Sequence, residues 1–122
     1  MATITATLTK GLKIKDSVHT EAEIREATAE DLIDATDESE KVVRTAEGFQ
    51  LLASPTLVGL NTLRRQIVRV GDYQGPLTLG ELKRLSAVDL SLLQEKAGEL
   101  ETATLAEIAA RGRHSAGGQG DG

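Results

Sequence analysis

The chain has 122 residues, a formal net charge of −5, and only two aromatic residues, Phe49 and Tyr73. That length suits one small domain, and burial must come from Leu, Ile, Val and Ala, which favours helix packing over a β-sandwich. The acidic balance excludes a dedicated nucleic-acid binder, which needs a basic surface for phosphates. The lack of cysteine excludes disulfides, thiolate zinc sites and cysteine catalysis.

From Thr3 to Leu8, Ile4, Ala6 and Leu8 alternate with threonines, and Leu12 and Ile14 resume the period after Gly11, which predicts a kinked strand. Lys15-Asp16-Ser17 supplies turn chemistry. Val18, Thr20, Ala22 and Ile24 then alternate with His19, Glu21, Glu23 and Arg25, so a β-hairpin is expected over about 3–25. A lone hairpin is marginal in water, so its Leu12, Ile14, Val18 and Ile24 face needs a helix against it. The N-terminus lacks the basic-then-apolar order of a signal peptide, and no run reaches the roughly 20 apolar residues of a membrane span.

Thr28, followed by Glu30 and Asp31, is an N-cap with an acidic first turn and predicts a helix over about 29–40. Lys41 to Ala53 has helical composition interrupted by Gly48 and is expected to be a second, weaker helical stretch. Ser54-Pro55 starts another helix, because proline at the first helical position forfeits no hydrogen bond. Leu57, Leu60, Leu63, Ile67 and Val70 share one face of it, with Gly71 expected at its C′ position. Thr78 with Glu81, then Ser86 with Asp89, repeat the start signal. They predict a short helix over about 79–85 and a longer one over about 87–108, forming a helical corner. Residues 111–122, rich in glycine, are expected to be a mobile tail after a single domain of residues 1–110.

Between Asp16 and Glu47 there are eleven acidic and three basic residues, whereas Arg64 to Arg84 holds five basic and two acidic. Such polarity can steer a basic partner, but two solvated and mutually paired faces are the simpler reading. The run DLIDATDESE lacks the residue order and glycine of an EF-hand loop. Neither His19 nor His114 has a second ligand at metal-binding spacing, and no serine lies in a nucleophile-elbow pattern. No cofactor, metal or catalytic residue is expected.

The order "LTKGLKIKDSVHTEAEIREATAEDLIDA", an acidic stretch, then "LRRQIVRVGDYQGPLTLGELKRLSAVDLSLLQEKAGEL" resembles the tail assembly chaperones of Mu-like and related contractile-tailed phages. A hairpin followed by an arginine and a "t..Dl" helix start is carried here by Arg25, Thr28, Asp31 and Leu32. An "l..L...D...L" signature is carried by Leu82, Leu85, Asp89 and Leu93. The similarity spans roughly residues 8 to 100, leaving the 41–53 stretch, the first residues and the glycine-rich end outside it.

The resemblance implies an α+β, mostly helical fold, with the hairpin packed on a small helical bundle. It implies a non-catalytic, phage-encoded protein of the host cytoplasm that binds the tape-measure protein and assists assembly of the tail tube, with self-association also open. Client contact is expected at Leu57, Leu60, Arg64, Arg65, Arg69, Leu79, Leu82 and Leu85, through a leucine-lined groove that receives an amphipathic helix. For any single leucine, burial in the core is the commoner fate, roughly three to one. Two other readings stand beside it: a small structural virion protein of tail or head, and an acidic regulator that occupies a basic partner's site.

Overall fold

The structure, a computed structural model, describes residues 2–118, with side chains described through residue 112. The described residues run in chain order through β1 (Thr3–Ile14), β2 (Ser17–Arg25), α1 (Ala29–Ser39), β3 (Glu40–Thr45), β4 (Gly48–Ala53), α2 (Pro55–Gln66), β5 (Ile67–Val70), β6 (Tyr73–Gln74), α3 (Leu79–Lys83) and α4 (Ala87–Gly118). The fold is α+β. An antiparallel sheet in the order β1-β2-β5-β6 is packed against helices, and β3-β4 forms a separate two-stranded sheet.

Alternation in β1 places Ala6, Leu8 and Leu12 inward, opposite Ala22 and Ile24 of β2 and Ile67 and Val70 of β5. Leu63 of α2, Leu77, Leu82 of α3 and Leu93 of α4 close the same core. The kink expected after Leu8 is a register shift between Thr7 and Leu12. Beyond it Leu12 faces His19 and Val18 faces Lys13, so Val18 is exposed and does not join the apolar face assigned to it.

Gly11 makes this bend possible. Its φ is +80°, and a Cβ there would sit 2.5 Å from the His19 carbonyl oxygen. Gly11→Ala is therefore expected to cost roughly 2–3 kcal/mol, from left-handed strain and backbone collision together. Urea unfolding followed by circular dichroism measures it, and a cost below about 0.5 kcal/mol would show that the bend relaxes freely.

Two helical expectations are corrected. Residues 41–53 form no helix: β3 and β4 pair in register from Glu40↔Ala53 to Thr45↔Gly48. The Thr45 hydroxyl accepts from Glu47 N–H and donates to the Gly48 carbonyl, closing the turn. Val42, Val43, Thr45 and Phe49 are β-formers, and the helix-like charge pattern around them carries less weight than this pairing. The second correction concerns the helix expected to reach Val70, which stops at Gln66. Ile67 to Val70 is instead strand β5, pairing Ile67 with Ile24 and Val70 with Ala22. A short run of Ile and Val satisfies a helical three-residue step, yet it also completes the open edge of β2. Gly71 accordingly sits in the β5–β6 turn with φ +59°, not at a helix C′ position.

The helical corner is present. Thr78 and Glu81 form a full capping box, and the Ser86 hydroxyl accepts from Asp89 N–H at 3.1 Å. The guanidinium of Arg84 donates to the Lys13 carbonyl, tying the corner to the hairpin tip. α4 continues to Gly118, through the first part of the segment expected to be a tail; residues 119–122 lie outside the described residues, as does the side chain of His114.

Candidate protein-interaction surface

Two buried carboxylates hold the elements together. Asp31, at the third position of α1, accepts both guanidinium N–H groups of Arg25, at 2.7 and 3.0 Å, and the Thr28 N–H at 2.8 Å. Arg25 also donates to the carbonyls of Glu26 and Arg65, so one side chain joins the end of β2, the start of α1 and the end of α2. The Arg25 hydrogen bonds, with help from Thr28, hold the Asp31 carboxyl down at about 2.

Asp89 is completely buried. Its carboxylate leaves its own helix cap and crosses to the β1 bulge, accepting from Thr9 N–H (2.6 Å), Thr9 hydroxyl (2.8 Å), Lys10 N–H (3.0 Å) and Gly11 N–H (3.0 Å). Burial pushes the Asp89 carboxyl up, but those donors together outweigh it and hold it at about 2. The bulge leaves strand N–H groups without a ladder partner, and Asp89 supplies their acceptor.

A third polar cluster braces α1 against α2. Buried Asn61 donates to the Ser39 hydroxyl at 2.9 Å and accepts from Arg64 at 3.1 Å. Arg64 also forks onto Glu38 at 2.6 and 2.7 Å, with Arg65 alongside. Arg69 reaches Glu21 and Glu23 across the β2–β5 pair. The acidic and basic regions of the sequence thus meet one another within the chain.

The expected contact residues separate into three groups. Leu82 is a core residue, and Leu60, Leu79 and Leu85 pack partly buried against that core. Leu57, Arg64 and Leu79 meet in a cleft of ≈ 380 Å³ that also has Lys41 and Lys83 on its walls. Arg65 is occupied with Glu38 and the Asn61 carbonyl, and Arg69 lies on β5, among residues that do not line this cleft.

Two surfaces escaped the sequence reading. One is a larger groove of ≈ 670 Å³ between the start of α1, the later turns of α2 and the middle of α4. Its small residues Gly59, Ala97 and Gly98 are what open it, but small residues in a helix carry no signal of a groove until the helices are packed. The other is the β3–β4 arm, where Val42, Phe49 and Leu51 are 69%, 74% and 61% exposed. Its signal was present in the adjacent Val42-Val43 pair and the Gly48 turn. Among the described residues no cluster of His, Asp and Glu is arranged to hold a metal, and no helix is long and apolar enough to cross a membrane.

The family of tail assembly protein gp41 matches residues 8–113. The chain belongs to this family. It is 38% identical over 107 residues to the Mu-like prophage FluMu protein gp41 of Haemophilus influenzae, covering 87% of this chain and 84% of that protein. It is similar to two proteins of Escherichia phage Mu. One is the probable tail assembly protein FS-gp41, at 41% identity over 62% of this chain. The other is the probable tail assembly protein gp41, at 46% identity over 57% of this chain. The aligned part spans 49% of each phage Mu protein, about half its length. No solved structure matches the chain. The stretch matched to the gp41 family contains both carboxylate joints and the β3–β4 arm.

Proposed function

We propose that this gp41-family protein is a non-catalytic tail assembly chaperone, working in the host cytoplasm, that shields the phage tape-measure protein and helps bring tail-tube subunits to it. Family membership over residues 8–113 carries the reading, and a cleft that sets Leu57 and Leu79 among charged and polar side chains supports it. In the cleft, an amphipathic client helix lays its apolar positions on Leu57 and Leu79 and its acidic ones near Lys41 and Lys83. Arg64 and Arg65, held by Glu38, keep the cleft wall in place, while Leu60, Leu82 and Leu85 support it from the core. Arg69 contributes through the sheet only.

Co-expression with the tape-measure protein of the same phage is the direct test. The expected result is a soluble complex recovered by pull-down, lost in the doubly substituted Leu57→Asp, Leu79→Asp variant while the variant keeps its wild-type circular dichroism spectrum. A tape-measure protein that stays insoluble and unbound would end the chaperone reading. Stoichiometric recovery of this chain from mature virions would replace it with a structural virion role.

A further inference from the structure

The chain's single phenylalanine is also its most exposed large apolar side chain among the described residues, at 74%. Cross-strand pairing places Val42 beside Leu51 and Arg44 beside Phe49, so these four side chains share one face of the arm. Above the Glu40–Ala53 pair at its base, Arg44 is the only charge on that face. An apolar ribbon of this kind, with no third strand along either edge, marks a docking element.

The ≈ 670 Å³ groove has the complementary character. Leu32, Leu63 and Leu100 line it, and among the described residues its only charged lining residues, Glu26 and Glu101, are both acidic. Its volume lies in the range of sites that take up several side chains. No residue of the arm lines the groove of its own copy. The arm leaves the protein at Ser39 and Ser54, the C-terminal end of α1 and the N-terminal end of α2. The groove uses Ala27 to Leu32 and Gly59 to Gln66, at the other ends of the same helices. The stretch of α1 from Leu32 to Ser39 separates the two by about 10 Å.

We propose that the β3–β4 arm of one copy docks in the α1–α2–α4 groove of a second copy of this chain, with Phe49 and Leu51 in the groove and Arg44 against the Glu26 and Glu101 rim. Because arm and groove are different surfaces, the contact is head-to-tail, and repetition gives a ring or an open helical array. This inference concerns the chain alone, so it stands or falls independently of tape-measure binding.

Sedimentation velocity on the purified full chain tests it. The wild type is expected to populate multiples of 12.9 kDa as concentration rises from micromolar to millimolar. Phe49→Asp blocks the arm at an exposed site. Gly98→Arg blocks the groove where a Cβ meets no atom within 4 Å, and it also removes a helix-interior glycine. Each variant alone is expected to stay at 12.9 kDa and to keep the wild-type circular dichroism spectrum. An equimolar mixture is expected to form a dimer and nothing larger, because one intact arm meets one intact groove. A wild type that stays monomeric throughout overturns the proposal. So does a Gly98→Arg protein that still assembles, which would instead indicate arm-to-arm pairing.

Discussion

Replacing Asp89 by alanine is expected to destabilise the protein by about 3–5 kcal/mol, a large part of the roughly 5–15 kcal/mol that holds a domain of this size. The substitution removes the acceptor of four hydrogen bonds, and three of the donors are backbone N–H groups at a bulge with no alternative ladder partner. Each buried donor left unpaired costs about 1–3 kcal/mol, and the vacated volume adds to that. Asp89→Asn is not expected to rescue stability. The amide keeps one acceptor oxygen but turns an NH2 group toward donors that need an acceptor. Urea unfolding of the two variants decides the matter, and a loss below about 1 kcal/mol for alanine would mean that water replaces the carboxylate at the bulge.

Acidification is expected to remove a comparable amount without any mutation. The Asp31 and Asp89 carboxyls fall from 3.8 in the unfolded chain to about 2 in the fold. A carboxyl whose folded value is depressed adds stability above its unfolded value, and that stability is lost as pH falls through the folded one. Each shift corresponds to about 2.4 kcal/mol, so stability is flat from neutrality to about pH 5 and then drops by about 4–5 kcal/mol between pH 5 and pH 1. Urea midpoints across that range provide the measurement. Asp31→Asn is expected to flatten the slope by about half, since Asp89 alone then titrates; an unchanged slope would move the acid sensitivity to other carboxylates. Glu38, held below the usual range first by Arg64, is more exposed and adds less.

Both carboxylates belong to the short motifs that suggested the family, and the structure explains why those residue types stand there. Asp31 was legible as a helix-start residue because its capping partner, Thr28, is three positions away. Its bidentate hold on Arg25 was not legible, nor was the reach of Arg25 to the Arg65 carbonyl 40 positions on. Asp89 was read as part of a capping signal at Ser86. Only its backbone N–H serves that cap, and its carboxylate is committed to Thr9, 80 positions earlier. Of the expected contact residues, each leucine was read as more often a core residue than a client contact. Packing then assigned Leu82 to the core and left Leu57 and Leu79 on a cleft.

The sequence by itself determined the features whose physics is local. The 3–25 hairpin follows from period-two alternation around a Lys15-Asp16 turn, and the helix starts at Thr28, Ser54, Thr78 and Ser86 follow from side-chain oxygens within hydrogen-bonding reach of N–H groups three residues on. The tertiary structure decided everything that needed a distant partner. Ile67 to Val70 became a strand because β2 offered an unpaired edge, and Lys41 to Ala53 became an arm because its two halves pair with each other while its apolar face, Val42, Phe49 and Leu51, stays exposed. The groove exists only where three helices converge on small residues. Helix caps draw on hydrogen bonds closed within one turn, whereas strand pairing, buried carboxylates and grooves depend on which remote segments the folded core brings together.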